Sequence, residues 1–116
     1  MIAVIFEVEP HGAHRDDYFR IASELRLLLD GIDGFISIER FRSLADEKRI
    51  LSLSFWRDEA AIAQWRTLEA HRAAQGEGRA RIFQDYRLRV AQVLRDYGMR
   101  ERAEAPDQSG TTRLSM

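Results

Sequence analysis

The chain has 116 residues, 45% hydrophobic and 32% charged, which suits one compact domain with a modest core and is too little for two. Its 18 basic and 19 acidic side chains are interspersed and give a formal net charge of −1, so no basic block is present to attract nucleic acid. With no cysteine, disulfides, thiolate metal sites, iron–sulfur clusters and cysteine nucleophiles are excluded. The apolar runs are too short to span a bilayer, and the N-terminal Met1-Ile2-Ala3-Val4-Ile5-Phe6 meets Glu7 and Glu9 without a basic flank. A cytoplasmic protein with no membrane partner is expected.

In chain order, Ile2, Val4, Phe6 and Val8 alternate with Ala3, Ile5 and Glu7, the period of a strand covered on both faces. Pro10, His11, Gly12 and Ala13 break it. Over 16–30 the apolar positions Tyr18, Ile21, Ala22, Leu25, Leu28 and Leu29 recur at helical spacing, with Asp16 or Asp17 available as a cap. Gly31 and Gly34 end that helix. The spacing then predicts a strand over 35–41, a polar hairpin connection over 43–48 and a third strand over 49–56. Asp58 and Glu59 open a second helix that runs to about Gln75. After Gly76 and Gly78, the alternation of Tyr86, Leu88 and Val90 with Arg87 and Arg89 predicts a fourth strand; residues 91–97 fit helix or strand equally. Residues 99–116 have almost nothing to bury and read as a polar tail, or an arm that orders on a partner, after a domain over 1–98.

The order β-α-β-β-α-β is that of an α+β, ferredoxin-like fold: an antiparallel sheet with two helices on one face. If the helices cover Ile2, Val4, Phe6, Leu51, Leu53 and Phe55, then Ile5, Ile50 and Trp56 are left on the open face, with Phe35 and Phe41 free to join either. Such an apolar patch marks an interface, and a homodimer through the sheet face would cover it.

Phe55-Trp56-Arg57-Asp58-Glu59-Ala60-Ala61-Ile62, followed by Trp65-Arg66, Glu69-Ala70-His71-Arg72, Ala74-Gln75, Gly78-Arg79 and Tyr86 on the last strand, resembles the antibiotic biosynthesis monooxygenase (ABM) superfamily. Gly34-Phe35, Ser37, Glu39-Arg40-Phe41 and Ser43 fit its second strand, so the resemblance covers nearly all of residues 1–98. It implies a dimeric α+β barrel. Its branches include cofactor-independent quinol monooxygenases and heme-degrading monooxygenases. Trp65, nine residues after Trp56, resembles the pocket tryptophan of both branches. His71 follows Trp65 at a shorter spacing than in the Isd-type heme degraders, and the first-strand asparagine of those enzymes has no counterpart, since the chain contains no asparagine. The resemblance therefore favours no cofactor over heme.

Helix geometry bears on the same residues. At ~100° per residue, Ala61, Ile62, Trp65 and Leu68 share a core-facing arc, while Gln64, His71 and Gln75 fall along one flank. Trp65, Phe6 and Phe55 are thus expected to wall a pocket, with Leu68, Gln64, Gln75 and Arg79 at its edge as substrate-binding residues. His71 and Tyr86 are the candidate catalytic groups: a histidine is a sensible base near neutral pH, and Tyr86 alternates with core-facing Leu88 and Val90. Set against these, Trp65 can be read as plain core, His71 as a boundary histidine, and Arg79, Arg81, Arg87 and Arg89 as solvated charges. His11 and His14 read as loop residues, and no metal site is expected.

Two functions fit these residues. In one, an electron-rich aromatic substrate such as a quinol or polyphenol loses a proton to His71 or Tyr86 and its carbanion reduces dioxygen without flavin or metal. In the other, the same fold is a non-catalytic dimer that binds a small molecule or heme.

Overall fold

In a computed structural model of the protein, residues 1–75 and 83–106 are described, except for the side chains of residues 70–75. The elements are β1 (Ile2–Pro10), α1 (Arg15–Leu29), β2 (Phe35–Arg42), β3 (Ile50–Trp56), α2 (Glu59–Gln75) and β4 (Phe83–Gln92), with one 3₁₀ turn at Gly12–His14 ahead of α1. The strands form one antiparallel sheet in the order β2-β3-β1-β4, with α1 and α2 as the two crossovers. This is the ferredoxin-like α+β fold that the element order implies.

Local chemistry fixes the joints. Asp58 caps α2, its Oδ1 accepting the Ala61 backbone N–H at 3.0 Å. That bond, followed by the Arg57 guanidinium at 3.1 Å, holds the Asp58 carboxyl below its ordinary range. Neither Asp16 nor Asp17 caps α1: His14 occupies the position without a side-chain bond. Its Nδ1 instead lies 3.0 Å from Asp17 Oδ2, and that contact is the largest influence lowering the Asp17 carboxyl. Gly34, at φ 96°, sits where a Cβ would fall 2.8 Å from the Ala61 Cβ, so only glycine lets β2 start this close to α2. In the β2–β3 connection, Ser43 Oγ accepts the Ala45 and Asp46 N–H groups and Asp46 Oδ1 accepts that of Lys48.

The sheet faces differ from the sequence expectation. Opposite partners in an antiparallel pair point the same way, and β1 pairs with β3 as Ile2↔Trp56, Val4↔Ser54, Phe6↔Ser52 and Val8↔Ile50. Ile2, Val4 and Phe6 therefore share their face with Ile50 and Trp56, not with Leu51, Leu53 and Phe55. Trp56 is 2% exposed under the helices, packed with Leu29, Ile32, Ala61 and Ile62, and its Nε1 donates to Ser54 Oγ at 2.9 Å. Leu51, Leu53 and Phe55 line the open face beside Ile5 and Phe41. A bulge in β2 between Phe35 and Ser37 sets parity: Phe35 lies opposite Trp56 on the helix side, while Phe41 lies opposite Leu51 on the open side.

A second cluster, Val8, Tyr18 and Ile50, closes the other end of the helix face. Strand β4 runs through Gln92, after which residues 93–97 are neither helix nor strand. Residues 93–106 form an exposed arm with its own hydrogen bonds, Asp96 N to Glu104 Oε1 at 2.7 Å and Gly98 N to the Glu101 carbonyl at 2.8 Å. Among the described residues, no helix is long and apolar enough to cross a membrane.

Candidate functional site

Between the two core clusters the sheet is hollow. Reading across β2, β3, β1 and β4, one row of helix-facing residues is Arg40, Ser52, Phe6 and Leu88, and the next is Ile38, Ser54, Val4 and Val90. Ser52 and Ser54 are buried, yet their side chains are too short to reach the helices. Large side chains at Ile50 and Trp56 hold the helices off at either end, and a cavity of about 600 Å³ remains between sheet and helices. This volume suits a small molecule. Helix α1 roofs it with Tyr18, Ile21 and Leu25, and α2 with Ile62 and Trp65.

The cavity has an aromatic end and a polar flank. Phe6, Phe83 and Tyr86 form a triangle with ring centroids 5.7–5.8 Å apart, and Tyr18 lies 5.9 Å from Phe83. At the β2 edge, the Arg40 guanidinium lies beside the Tyr18 hydroxyl; burial pushes the Tyr18 phenol up from its ordinary value, and Arg40 opposes that shift. Arg40 Nε is buried and meets no hydrogen-bond acceptor.

Of the residues expected from sequence, Trp65, Phe6 and Tyr86 line the cavity. Phe55 does not: the β1–β3 register turns it to the open face. Gln64 and Leu68 also stay outside the lining, both exposed on α2. The core arc of α2 is narrower than the sequence suggested, ending in Ala61, Ile62 and half-buried Trp65. His71 and Gln75 lie on the last turns of α2, where side chains are not described, and Arg79 falls outside the described residues. Sequence reasoning missed Arg40, Tyr18, Ser52 and Ser54. The signal was the spacing Ile50-x-Ser52-x-Ser54-x-Trp56, two small polar residues between two large apolar ones on one strand face.

Among the described residues, no group of three His, Cys, Asp or Glu side chains is placed to hold a metal ion. No histidine is among the described cavity-lining residues, and the chain has no asparagine.

A ferredoxin-like sheet with a helix layer over a largely apolar cavity defines an α+β domain of the antibiotic biosynthesis monooxygenase type. The chain belongs to the antibiotic biosynthesis monooxygenase family, which matches residues 1–77. A relative from Pyricularia oryzae, "Jasmonate monooxygenase ABM", is 50% identical over 93 residues, covering 80% of this chain and 43% of its own length. The chain thus spans less than half of that relative. Among solved structures, Rv0793 from Mycobacterium tuberculosis superposes with a TM-score of 0.71 at 16% identity, covering 84% of this chain and 98% of that one. The heme degrader MhuD from the same organism, with two hemes bound in its active site, gives 0.65 at 17% identity, covering 84% of this chain and all of its own. At these identities the structural likenesses speak for the fold alone.

Proposed function

We propose that the protein is a cofactor-independent monooxygenase that oxidises a small substrate in the cavity between sheet and helices. The observation that carries the reading is the hollow over Ser52 and Ser54, lined by Phe6, Trp65 and Tyr86, in a chain of this family. Trp65 on the helix side and Phe6 on the sheet side give a flat ring aromatic partners in the cavity. In the keto tautomer of a quinol substrate, removal of an acidic ring C–H proton leaves a carbanion that reduces dioxygen; one oxygen atom becomes a carbonyl on the former ring CH₂, which re-enolises to a hydroxyquinone, and the other leaves as water. The substrate supplies all four electrons, so the stoichiometry needs no external reductant. His71 is the proposed base, and the Tyr86 hydroxyl the hydrogen-bonding partner of the substrate oxygen.

The substrate is either a quinol-like aromatic or, by likeness to the Pyricularia relative, jasmonic acid. Hydroxylating an unactivated carbon of jasmonic acid consumes two electrons from a reductant, which separates the two cases. Oxygen uptake with hydroquinones alone, and with jasmonic acid with and without NADPH, tests both. Uptake at one dioxygen per product, lost in a folded His71→Ala variant, is expected; full turnover by that variant would remove His71 from the mechanism. The second reading, a non-catalytic dimer binding a small molecule or heme, draws on the same cavity and the MhuD fold. Hemin incubated with the protein, a reductant and catalase should keep its Soret band, and band loss with iron release would place the protein in the heme branch.

We also propose a homodimer through the open sheet face, where Ile5, Leu51, Leu53 and Phe55 lie together and Phe41 is 43% exposed. That stripe replaces the Ile50 and Trp56 contacts expected from sequence.

A further inference from the structure

We propose that the cavity takes an amphipathic anion, a carboxylate held on the Arg40 guanidinium with its apolar body laid across Ser52 and Ser54 toward Phe6, Phe83 and Tyr86. This assignment names the substrate class of the cavity and rests on the reading of that cavity as the substrate site.

Arg40, Arg42, Arg66 and Arg87 have no ion pair among the described residues, but the last three are exposed, whereas Arg40 is half-buried in the cavity wall; the other nearby arginines are paired. Arg20 pairs with Asp17 and Glu24, Arg26 with Asp30, Arg49 and Arg89 with Glu7, and Arg57 with Asp33. Arg40 has no carboxylate within ion-pair distance among the described residues, although it is half-buried and lines the cavity. Its contact is the Tyr18 hydroxyl, a neutral partner that supplies no countercharge. The Nε is shielded from solvent and has no acceptor. A guanidinium offers five N–H donors in a planar fork, and its edge matches the two oxygens of a carboxylate. A buried donor with no protein acceptor carries a desolvation cost that an anionic ligand removes on binding.

The register supplies the rest of the ligand's shape. Arg40 is on edge strand β2, and Leu88, at the far end of the same row, is on the opposite edge β4. At about 4.8 Å per strand, the row spans roughly 14 Å between edge backbones. Side chains shorten this to the length of a small bicyclic or alkyl-substituted ring acid. The body of such a ligand crosses the short serine side chains and ends on the aromatic triangle. The remaining cationic lining residues, Arg20 and Arg66, are exposed on the helices. Glu24 and Glu69 lie on the same lining, and Glu24 pairs with Arg20.

Matched acid and ester pairs test the assignment by binding alone: jasmonic acid against methyl jasmonate, and 2-naphthylacetic acid against its methyl ester, titrated by tryptophan fluorescence and calorimetry. The native protein should bind at least one acid about tenfold or more tightly than its ester. Arg40→Gln should weaken that acid on the order of tenfold to a hundredfold and leave the ester within about twofold, with Arg40→Lys in between. Arg95→Gln, on the exposed arm, should change neither, Arg66→Gln reports whether the helix arginine takes the acid instead, and thermal melts of each variant confirm folding. Equal binding of acid and ester, no acid binding at millimolar concentration, equal loss of both ligands in folded Arg40→Gln, or an acid preference that follows Arg66 would each overturn the assignment. An acid that binds through Arg40 but is never oxidised would count against the monooxygenase reading and leave the Arg40 assignment standing.

Discussion

Ser52 and Ser54 shape the cavity by what they lack. On a strand face that begins with Ile50 and ends with Trp56, leucines there would meet the helices and close the core. Ser52→Leu is expected to fold, since it grows into open space, and to abolish ligand quenching of tryptophan fluorescence. Trp56 has the opposite role. Truncating it to alanine empties the centre of the cluster with Leu29, Ile32 and Ile62, and should cost about 3–5 kcal/mol in urea unfolding. These positions also mark where sequence reading stopped. Alternation along 50–56 gives two stripes, and hydrophobicity alone points the Leu51, Leu53 and Phe55 stripe inward. Pairing with β1 decides otherwise, and pairing register is a long-range property that no window of residues on β3 contains.

At the scale of elements, the local signals were legible because each rests on near neighbours. Gly31 after α1, the Ser43 and Asp46 turn and the Asp58 cap all act within a few residues, and helix and strand bounds follow them closely. The bulge at Ile36 was not legible, because its effect is to align Phe35 and Phe41 against different partners on β3. The Asp58 cap carries a pH prediction. Its carboxyl is held below the ordinary value of 3.8 in the folded state, so the stabilisation is fully present above that value and is lost as pH falls through the lower folded-state value. Asp58→Ala should therefore melt below the native protein at neutral pH, and the gap should close in strong acid. A gap that persists unchanged at pH 2 would assign the loss to something other than the carboxylate.

For the whole molecule, one face of the sheet carries the cavity and the other carries the apolar stripe. Phe55→Glu puts a charge into the proposed dimer interface while sparing the helix-side core, so light scattering should show a folded monomer. A folded dimer with unchanged affinity would remove this face as the interface. The central claim is that the cavity itself performs oxygen chemistry on its ligand. Its most direct test is mass spectrometry of the product formed from an anthrone, the keto tautomer of an anthrol, under ¹⁸O₂ by purified protein freed of flavin and metal. One ¹⁸O atom per product, water in place of peroxide, and loss of the label's enzymatic incorporation in Ser52→Leu are predicted. Product formed no faster than without protein, or only after flavin or iron is added, would contradict the claim.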